Sequence, residues 1–567
     1  MDPDTHPTRP EAGSPALSPS GDPSGDEATG PKRRPPRPSI WRTALAGLLA
    51  AALALAIGEL IAGLSSQLTS PVISVGNRVI DAVPRQLKDF AIETFGTNDK
   101  KALLFGIYSF AAILGLVVGI LAGRRFLLGA AGIALFGVVG VWAAGQEVGA
   151  PVWAGLPSII GAVVGIAALA LLLAVIPHAD HPKAVDRLVH PVGRTGAAAG
   201  AGPTASPTDP PHGAFARRGF LKMSAAVVVV GVAATTGGRW LQGRFSAASS
   251  RLAVVLPKPK KAPAPVAAGV VLDLQGISSF ITPNSDFYRI DTNLTVPQIA
   301  AETWKLKIKG MVDHDVEYTY DDILAMDMIE ERITMTCVSN EVGGALVGTA
   351  SWLGVPLKEL LATAGIQKGA DQIVGRAFDG FTTGFPVDTL DGRPAMLAVG
   401  MNGEPLPLAH GFPARIIVPG LYGFVSATKW LTEIELTTFA DFDQYWVKRD
   451  WSDRGPIKTM SRIDTPRGLQ NVKAGKAKIG GVAWAQTRGI DKVEIKLDDG
   501  PWTKATLAAA DSKLTWRQWV YEFDATPGRH QVVCRATDAT GATQTEDRAK
   551  PFPDGASGWH SVAFLVS

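Results

Sequence analysis

The sequence predicts a multidomain protein: an α-helical membrane region with five spans, then a soluble α+β domain, then a β-sandwich. Three observations support this organisation. Residues 40–240 are rich in Ala, Gly, Leu and Val and poor in charge. Residues 269–567 have the mixed composition of a soluble protein with a sizeable core. From about residue 466, strand-like segments separated by turn residues recur at a spacing of about ten residues, which is typical of a β-sandwich.

The overall composition excludes two classes of function. The formal net charge is only +3, and no basic stripe is interleaved with aromatic residues, so we expect no nucleic-acid partner. The two cysteines, Cys337 and Cys534, fall in different predicted domains. Such a pair cannot form a disulfide framework or a cysteine-based zinc site.

The N-terminal segment, residues 1–38, is rich in Pro, Ser, Gly and Asp and has almost no apolar residues. It cannot bury enough surface to fold, and we predict that it is disordered. Residues 39–180 form a predicted four-helix membrane region, because they contain four apolar runs near the ~20 residues that a helix needs to cross a bilayer. The runs cover residues 41–64, 103–122, 126–146 and 156–177. Burial in a soluble core is disfavoured, since nearly charge-free runs of this length rarely share one globular domain.

The distribution of Lys and Arg around these runs predicts a cytoplasmic N-terminus. Basic residues precede the first run, separate the second from the third and follow the fourth, whereas the loop 146–155 has none. The loop 66–101 disagrees, because it is predicted to lie outside and yet is basic. Its basic residues are Arg78, Arg85, Lys88, Lys100 and Lys101. Interleaved acidic residues predict an amphipathic surface helix in this loop.

Glu59 lies near the end of the first run. An acid within a membrane segment is a functional candidate, although an interfacial position at the helix end is the favoured interpretation. The four apolar runs contain no His, so they lack the paired ligands of a membrane haem.

The fifth span, residues 217–241, begins with Arg217-Arg218 and the sequence Gly-Phe-Leu-Lys222. This pattern before a modest apolar stretch resembles a twin-arginine export signal, here internal; the alternative is a simple positive-inside anchor. It follows a predicted cytoplasmic linker, residues 181–216, and precedes a stiff Pro-rich linker, residues 242–268. No clear cleavage site follows, so we expect the span to remain as an anchor. Five crossings place the rest of the chain outside the plasma membrane.

From about residue 270 the sequence pattern changes to that of short strands and helices. Trp304–Lys309 alternates with period two, as a half-buried strand does, and Tyr320–Leu324 is typical of a short helix. Ile333–Cys337 reads as a strand that ends at a cysteine, and a polar turn, Val338–Gly344, follows. Judged alone, such a cysteine is most often a small buried hydrophobe. Cys534, within a predicted strand, is expected to be a core residue.

The context of Cys337 changes this interpretation. The order of strand, Cys337, Asn340, Gly-bearing turn, the segment Trp352–Leu357 and a Leu-rich helix resembles the molybdenum-binding core of the sulfite oxidase family. That family includes the catalytic subunits of periplasmic methionine-sulfoxide reductases. The resemblance spans about residues 275–567. It implies a sulfite-oxidase-type molybdopterin domain at 269–440, an Ig-like dimerisation-type sandwich at 441–567, and a Cys337 thiolate that ligates molybdenum.

The same resemblance implies the cofactor-binding residues. Thr282–Arg289 is similar to the first pterin-binding stretch of the family, and Leu406–Arg415 to its His/Asn-Gly-x-Pro-x-Arg signature. The loop from Val418 to Trp430 is similar to the loop that wraps the pterin phosphate. The implied residues are Ser285, Tyr288, Arg289, Asp379, His410, Arg415, Ser426, Thr428 and Lys429. Cations and hydroxyls suit a phosphate, and Arg offers it paired hydrogen bonds.

Two departures separate the chain from sulfite-oxidising members. Glu341, Val342 and Gly343 stand where those enzymes usually have arginines after the equivalent of Asn340, and Thr383 falls where they have an active-site tyrosine. An acid at that point would repel a sulfite dianion. We therefore expect a molybdenum–molybdopterin oxidoreductase that transfers an oxygen atom in a two-electron reaction, with reduction of an S- or N-oxide favoured over sulfite oxidation.

Two other interpretations stay open at this point. A cofactor-free extracytoplasmic scaffold on the same fold is disfavoured by Cys337, because a site that no longer binds the cofactor would not need a cysteine at this position. A transporter with an appended sensor domain is disfavoured by the few polar residues in the spans. The expected partners are a small-molecule substrate, the membrane, a separate electron-transfer partner and a second copy of the chain through the C-terminal domain.

Overall fold

The computed structural model describes residues 37–84, 87, 90, 94–95, 99–186 and 212–567. Almost all of the segment predicted to be disordered, and residues 187–211 of the predicted cytoplasmic linker, lie outside the described residues.

In the described part, five helices are long and apolar enough to cross a membrane. A short helix, α2 (Pro71–Ala82), lies between the first two of them. The long helices are α1 (Ile40–Ala62), α3 (Asp99–Arg124), α4 (Phe126–Gly145), α5 (Leu156–Ala174) and α6 (His212–Gly243). Each of the four predicted apolar runs therefore lies almost entirely within one continuous helix.

α1 lies at the centre of the bundle and packs against α3, α5 and α6. Small residues allow the backbones to approach closely. A Cβ added to Gly47 would lie 2.4 Å from the Cα of Gly119, and one added to Gly161 would lie 2.5 Å from the carbonyl oxygen of Ala54. Close contact through small residues is a common way in which membrane helices associate.

The predicted surface helix in the loop 66–101 is seen in part as α2. Arg78 and Asp81 of α2 pair with each other at 3.4 Å. Arg85 and Lys88 lie outside the described residues, whereas Lys100 and Lys101 belong to α3 instead.

Two further segments differ from their predicted form. α6 begins at His212, five residues before the predicted start of the fifth span at Arg217. After α6 and the short α7 (Ala248–Ala253), the Pro-rich segment is no free spacer, because the Lys260 N–H donates to the carbonyl oxygen of Met328 at 2.8 Å. It packs along the edge of the soluble domain.

The first soluble domain contains two sheets around one core. One sheet has the strand order β2-β1-β10-β5-β6; the other has the order β3-β4-β7-β8, with β9 paired to β7. The strands are β1 (Lys305–Gly310), β2 (Val316–Thr319), β3 (Ile329–Thr336), β4 (Val347–Pro356), β5 (Gln372–Ala377), β6 (Thr382–Pro386), β7 (Met396–Met401), β8 (Glu404–Pro405), β9 (Arg415–Ile417) and β10 (Leu431–Thr437). The helices are α8 (Tyr320–Leu324), α9 (Leu357–Ala362) and α10 (Gly423–Ser426). The predicted helix Tyr320–Leu324 is confirmed, and a capping box of Thr319 and Asp322 begins it.

The C-terminal region forms two further sheets that share a core. Their orders are β11-β13-β17-β16 and β12-β19-β18-β14-β15. The strands are β11 (Met460–Thr465), β12 (Asn471–Val472), β13 (Gly475–Trp484), β14 (Ile490–Leu497), β15 (Thr503–Lys504), β16 (Thr506–Leu507), β17 (Arg517–Ala525), β18 (Gly528–Asp538) and β19 (His560–Val566). Trp519 of one sheet and Phe564 of the other are fully buried in this core. Cys534 is 0% exposed in the same core, as predicted.

The membrane region contacts the first soluble domain directly. Lys100, near the start of α3, lies 2.6 Å from a carboxylate oxygen of Asp291. Asp81 of α2 accepts a hydrogen bond from the Tyr445 hydroxyl at 3.2 Å. Val148, in the loop between α4 and α5, packs against the β5–β6 turn. These contacts place one face of the membrane region against the segments that carry the predicted cofactor residues.

Candidate functional site

Cys337 directly follows β3 and begins the loop 337–346, which joins β3 to β4. The free thiol is 7% exposed. The backbone N–H of Cys337 donates to the carbonyl oxygen of Leu346 at 2.9 Å, and its carbonyl oxygen accepts from the N–H of Asn340 at 3.0 Å. The Asn340 side chain in turn accepts from the Leu346 N–H at 2.8 Å. The loop is thus closed at its base, and the thiol is held at the end of a rigid strand.

Burial raises the pKa of the Cys337 thiol. A buried thiolate therefore needs a positive partner, and a coordinating metal ion supplies one. Among the described residues, no group of three or more His, Cys, Asp and Glu side chains could hold a metal.

Arg415 begins β9 and is 5% exposed. Its guanidinium lies 5.2 Å from the ring centroid of Trp352 and donates to the carbonyl oxygen of His410 at 3.0 Å. Its Nε is buried and has no hydrogen-bond partner in the described structure. Burial lowers the pKa of Arg415 to about 10. The side chain is therefore a buried cation with a donor left for an anionic group.

Tyr288 lies within electrostatic range of both Cys337 and Arg415, and burial raises the pKa of its hydroxyl. The Tyr288 ring stacks on Phe287 at a centroid distance of 5.2 Å, and Phe287 also meets the ring of His410 edge-on at 5.7 Å. These contacts bring four of the predicted site residues, Cys337, Arg415, Tyr288 and His410, into one cluster.

His410 is 5% exposed, and its Nε2 lies 3.1 Å from the carbonyl oxygen of Asn284. Burial, aided by the charge of Arg415, lowers the pKa of His410 to about 4. The imidazole is neutral at pH 7, and its Nε2–H donates to Asn284. His410 therefore ties the β8–β9 loop to the segment that carries Tyr288.

The most densely paired carboxylate of the site, Asp291, was missed by the sequence interpretation. Its side chain is 4% exposed and pairs with Arg289 at 2.7 Å, Lys429 at 2.9 Å and Lys100 at 2.6 Å. Burial alone would raise the pKa of Asp291, but Lys429 and Lys100 outweigh it and hold that pKa well below its usual range. No local pattern marks Asp291, because only Arg289 is near it in sequence, whereas Lys429 and Lys100 come from distant segments.

Lys429 lies just before β10 with its ammonium group 4.4 Å from the centroid of the Trp430 ring. Burial lowers the pKa of Lys429 to about 8, against the opposing charge of Asp291. At neutral pH Lys429 is still mainly protonated. The positive charge in this part of the site is greater than the single negative charge of Asp291, because four cations lie here: Lys429, Arg289, Arg415 and Lys100. This part of the site therefore favours an anion.

Asp379 lies in the β5–β6 turn, where it accepts from the Phe381 N–H at 2.9 Å and from the side-chain amide of Asn293. Burial raises the pKa of Asp379. Because Lys100 also donates to the carbonyl oxygen of Asn293, Asp379 is linked to the Asp291 cluster.

The three predicted hydroxyl residues are placed differently. Ser285 is exposed and donates to its neighbour Asp286 at 2.9 Å. Ser426 is 1% exposed and donates to the carbonyl oxygen of Tyr422 at 3.1 Å. Thr428 is fully buried against Thr383 at 2.7 Å. The structure therefore brings Ser426 and Thr428 into the loop that leads to Lys429, while the side chain of Ser285 turns to solvent.

The C-terminal sheets support the Cys337 loop, which the sequence interpretation did not foresee. Arg462 donates to the carbonyl oxygen of Gly344 at 2.7 Å. A Cβ added to Gly343, whose φ is +81°, would lie 2.3 Å from the His560 ring. Burial, with the charge of Arg462, lowers the pKa of His560 to about 4. These residues are remote in sequence, and no motif connects them to Cys337.

The positions that differ from sulfite-oxidising members also have defined surroundings. Glu341 is exposed, so its charge acts through water and is weaker than the sequence interpretation assumed. Thr383 is 0% exposed and is bonded to Thr428. The position predicted for an active-site tyrosine is therefore part of the sheet interior.

The comparisons with known proteins match this site. Residues 293–446 match the family model described as oxidoreductase molybdopterin binding domain. The chain is 27% identical to human mitochondrial sulfite oxidase over 345 residues, which cover 51% of this chain and 62% of that protein. It is 32% identical to the uncharacterized oxidoreductase YuiH of Bacillus subtilis over 152 residues, which cover 27% of this chain and 74% of YuiH.

Among solved structures, the sulfane dehydrogenase SoxCD from Paracoccus pantotrophus covers 51% of this chain and 84% of its own, with a TM-score of 0.46 and 20% identity. The chain spans less than two thirds of the human enzyme that it matches.

Proposed function

Since the chain belongs to the sulfite oxidase family of molybdopterin oxidoreductases, we propose that it is a membrane-anchored, extracytoplasmic enzyme that reduces a small S- or N-oxide by two-electron oxygen-atom transfer. The observation that carries the proposal is the buried Cys337 thiol at a strand end, next to buried cations that have no matching number of acids. A cofactor-free scaffold would have no use for this arrangement.

The residues fit a molybdenum–molybdopterin cofactor. Cys337 would supply the thiolate ligand, a soft donor suited to a metal that changes oxidation state. Arg415, with its orphaned Nε, and Lys429 would hold the anionic pterin phosphate. When bound, the cofactor supplies the two-electron redox chemistry. The protein supplies the ligand, the fixed positive charge and a partly dry surrounding.

The substrate proposal rests on the loop that follows Cys337. Glu341, Val342 and Gly343 offer no cation to a sulfite dianion, whereas an uncharged S- or N-oxide needs none. Sulfite oxidation is the second candidate, because several relatives carry the name sulfite oxidase and Arg462 reaches the same loop from the C-terminal sheets.

The proposed orientation in the membrane rests on which ends of the long helices lie next to the soluble domain. On one face of the bundle, the ends of α1 and α6 meet through Glu59 and Gln242, and Lys100 reaches the soluble domain. On the other face, Trp41 packs against Phe220, near the twin-arginine residues of α6. With five crossings and a cytoplasmic N-terminus, the face next to the soluble domain lies outside. Pairing of two chains through an Ig-like C-terminal domain is part of the same proposal.

The test is the metal content of the full-length protein, purified from cells that make the molybdenum cofactor. We expect about one molybdenum per chain, retained in the control Cys534→Ser and lost in Cys337→Ser. A folded wild-type protein without molybdenum would overturn the proposal. Steady-state assays with methionine sulfoxide and with sulfite then decide between the two substrates, and efficient turnover of sulfite alone would reject the first.

A further inference from the structure

A cleft of about 260 Å³ lies within the membrane region, between α1, α3 and α6. Most of its wall is apolar. The apolar residues include Leu48, Ala51, Ala52, Leu55, Ala111 and Ala112. Four side chains able to donate or accept hydrogen bonds also line it: Glu59, Tyr108, Arg239 and Thr235, whose hydroxyl donates within α6 to the carbonyl oxygen of Gly231. A cleft with apolar walls and an acid, a phenol and a guanidinium suits an amphipathic ligand with a small polar head.

The polar groups are held in place by the fold. The Glu59 carboxylate accepts hydrogen bonds from the Ser70 hydroxyl and, at 3.3 Å, from the Gln242 amide. A Cβ added to Gly238 would lie 2.7 Å from the carbonyl oxygen of Glu59, so α6 presents Arg239 beside the same turn of α1. Charged groups in a membrane are costly, and they usually mark a functional site.

The cleft is connected to the candidate redox site through α3. Tyr108 is eight residues beyond Lys100 on α3, which corresponds to about 12 Å along the helix. Lys100 pairs with Asp291, and Asp291 pairs with Lys429 of the predicted cofactor cluster. One continuous helix therefore joins the polar end of the cleft to that cluster.

We infer that this cleft binds the head of a membrane quinol, which donates electrons to the oxidoreductase domain. The inference rests on the proposed function, which requires a two-electron donor. A quinol gives up two electrons and two protons and becomes a quinone. The S-oxide takes up two electrons and two protons and becomes a sulfide and water, so the two half-reactions balance.

The cleft residues have distinct roles in this scheme. Glu59 accepts a proton from a quinol hydroxyl, while Tyr108 and Arg239 donate hydrogen bonds to the quinone oxygens. A phospholipid head is the less suitable occupant, because the charge of Glu59 offsets that of Arg239 and leaves no excess positive charge for a phosphate.

The experiment uses the full-length protein in detergent and 2,3-dimethyl-1,4-naphthoquinone as the probe. Binding is measured by calorimetry, and turnover of methionine sulfoxide is measured with the reduced probe and, separately, with reduced benzyl viologen. We expect Glu59→Gln to lower quinol-dependent turnover by about 100-fold and to leave viologen-dependent turnover unchanged. Ala52→Leu fills the cleft without changing its charge and should abolish probe binding. Phe105→Leu, on the exposed surface of α3, is the matched control and should behave as wild type.

Each outcome has one meaning. Viologen-dependent turnover without binding or oxidation of the probe overturns the quinol site and leaves the proposed function intact. A tightly retained phospholipid that the probe cannot displace overturns it as well. Loss of activity with both donors in wild type, together with normal probe binding, contradicts the proposed function and not the site.

Discussion

Replacement of Lys100 by Met is expected to weaken cofactor binding, although Lys100 belongs to the membrane region. Its Nζ lies 2.6 Å from Asp291, whose side chain is 4% exposed. Asp291 also pairs with Lys429, 2.9 Å away, and so positions that cation for the pterin phosphate. Methionine keeps most of the length and the apolar stem of lysine and removes its charge.

The magnitude follows from the burial of the two partners. Exposed ion pairs contribute ~0–1 kcal/mol, whereas removal of one partner from a fully buried pair costs ~3–5 kcal/mol. The Lys100 side chain is 28% exposed, and Asp291 keeps two other cations. We therefore expect a loss of about 1–2 kcal/mol, which corresponds to about a 5- to 30-fold change in an equilibrium constant.

The assay is the rate at which molybdenum leaves the purified full-length protein at a fixed temperature. Lys101→Met is the matched control, because Lys101 is the next residue on α3 and its side chain is exposed. We expect Lys100→Met to lose molybdenum faster by up to the factor above, and Lys101→Met to match the wild type within about twofold.

A double-mutant cycle with Asp291→Asn isolates the pair. Asp291→Asn should be the more damaging single change, because it leaves three cations without their common partner. The two changes should be non-additive by about 1 kcal/mol or more. Equal rates for Lys100→Met and Lys101→Met, or additivity within about 0.3 kcal/mol, would refute the reasoning.

Three further predictions concern the pH dependence of stability, the loop that follows Cys337 and the contact between α1 and α3. Burial lowers the pKa of His560 to about 4, so between pH 6.5 and about 4 this residue is protonated in the unfolded chain and not in the folded one, and stability falls as the pH drops through this window. The substitution His560→Gln should reduce this loss of stability, measured by thermal unfolding at a series of pH values, by up to about 3 kcal/mol. The same pH dependence in wild type and mutant would contradict the prediction. Gly343→Ala must place a Cβ at φ +81° and against His560, so we expect a loss of about 1–2 kcal/mol in thermal unfolding, with Gly392→Ala as a control where φ is also positive but the space is open. Gly119→Val should separate α1 from α3, since a Cβ at Gly119 would lie 2.1 Å from the carbonyl oxygen of Thr43. A variant that stays monodisperse in detergent and keeps the melting temperature of the wild type would contradict this prediction.

The sequence was informative where a pattern is local. About 20 consecutive apolar residues are enough to predict a membrane helix, and the four predicted apolar runs correspond to α1, α3, α4 and α5. Tyr320–Leu324 was predicted as the start of a short helix, and the residues that cap this helix, Thr319 and Asp322, are only three positions apart. Cys337 could be singled out because the strand, the turn and the following segments occur in a recognisable order.

Interactions between remote segments could not be predicted in this way. Asp291 pairs with Lys429, which is remote in sequence, and with Lys100, which reaches it only because the membrane region docks onto the soluble domain. The support of the Cys337 loop by Arg462 depends likewise on the packing of two soluble units. Thr428 was predicted to bind the cofactor from its place in a loop, but its hydroxyl is already bonded inside the sheet.

The same docking gives a carboxylate partner to Lys100, one of the basic residues in the loop that contradicted the charge rule. Lys100 lies on the outer side in the proposed orientation, where Lys and Arg are normally depleted. The rule concerns segments judged by themselves, whereas Lys100 pairs with Asp291 of the soluble domain and Arg78 pairs with Asp81 within α2. A basic residue on the outer side is therefore compatible with this topology when a carboxylate of the same chain is there to receive it. In this protein that carboxylate also holds Lys429, so the charge that appeared misplaced in the sequence couples the membrane region to the candidate cofactor site.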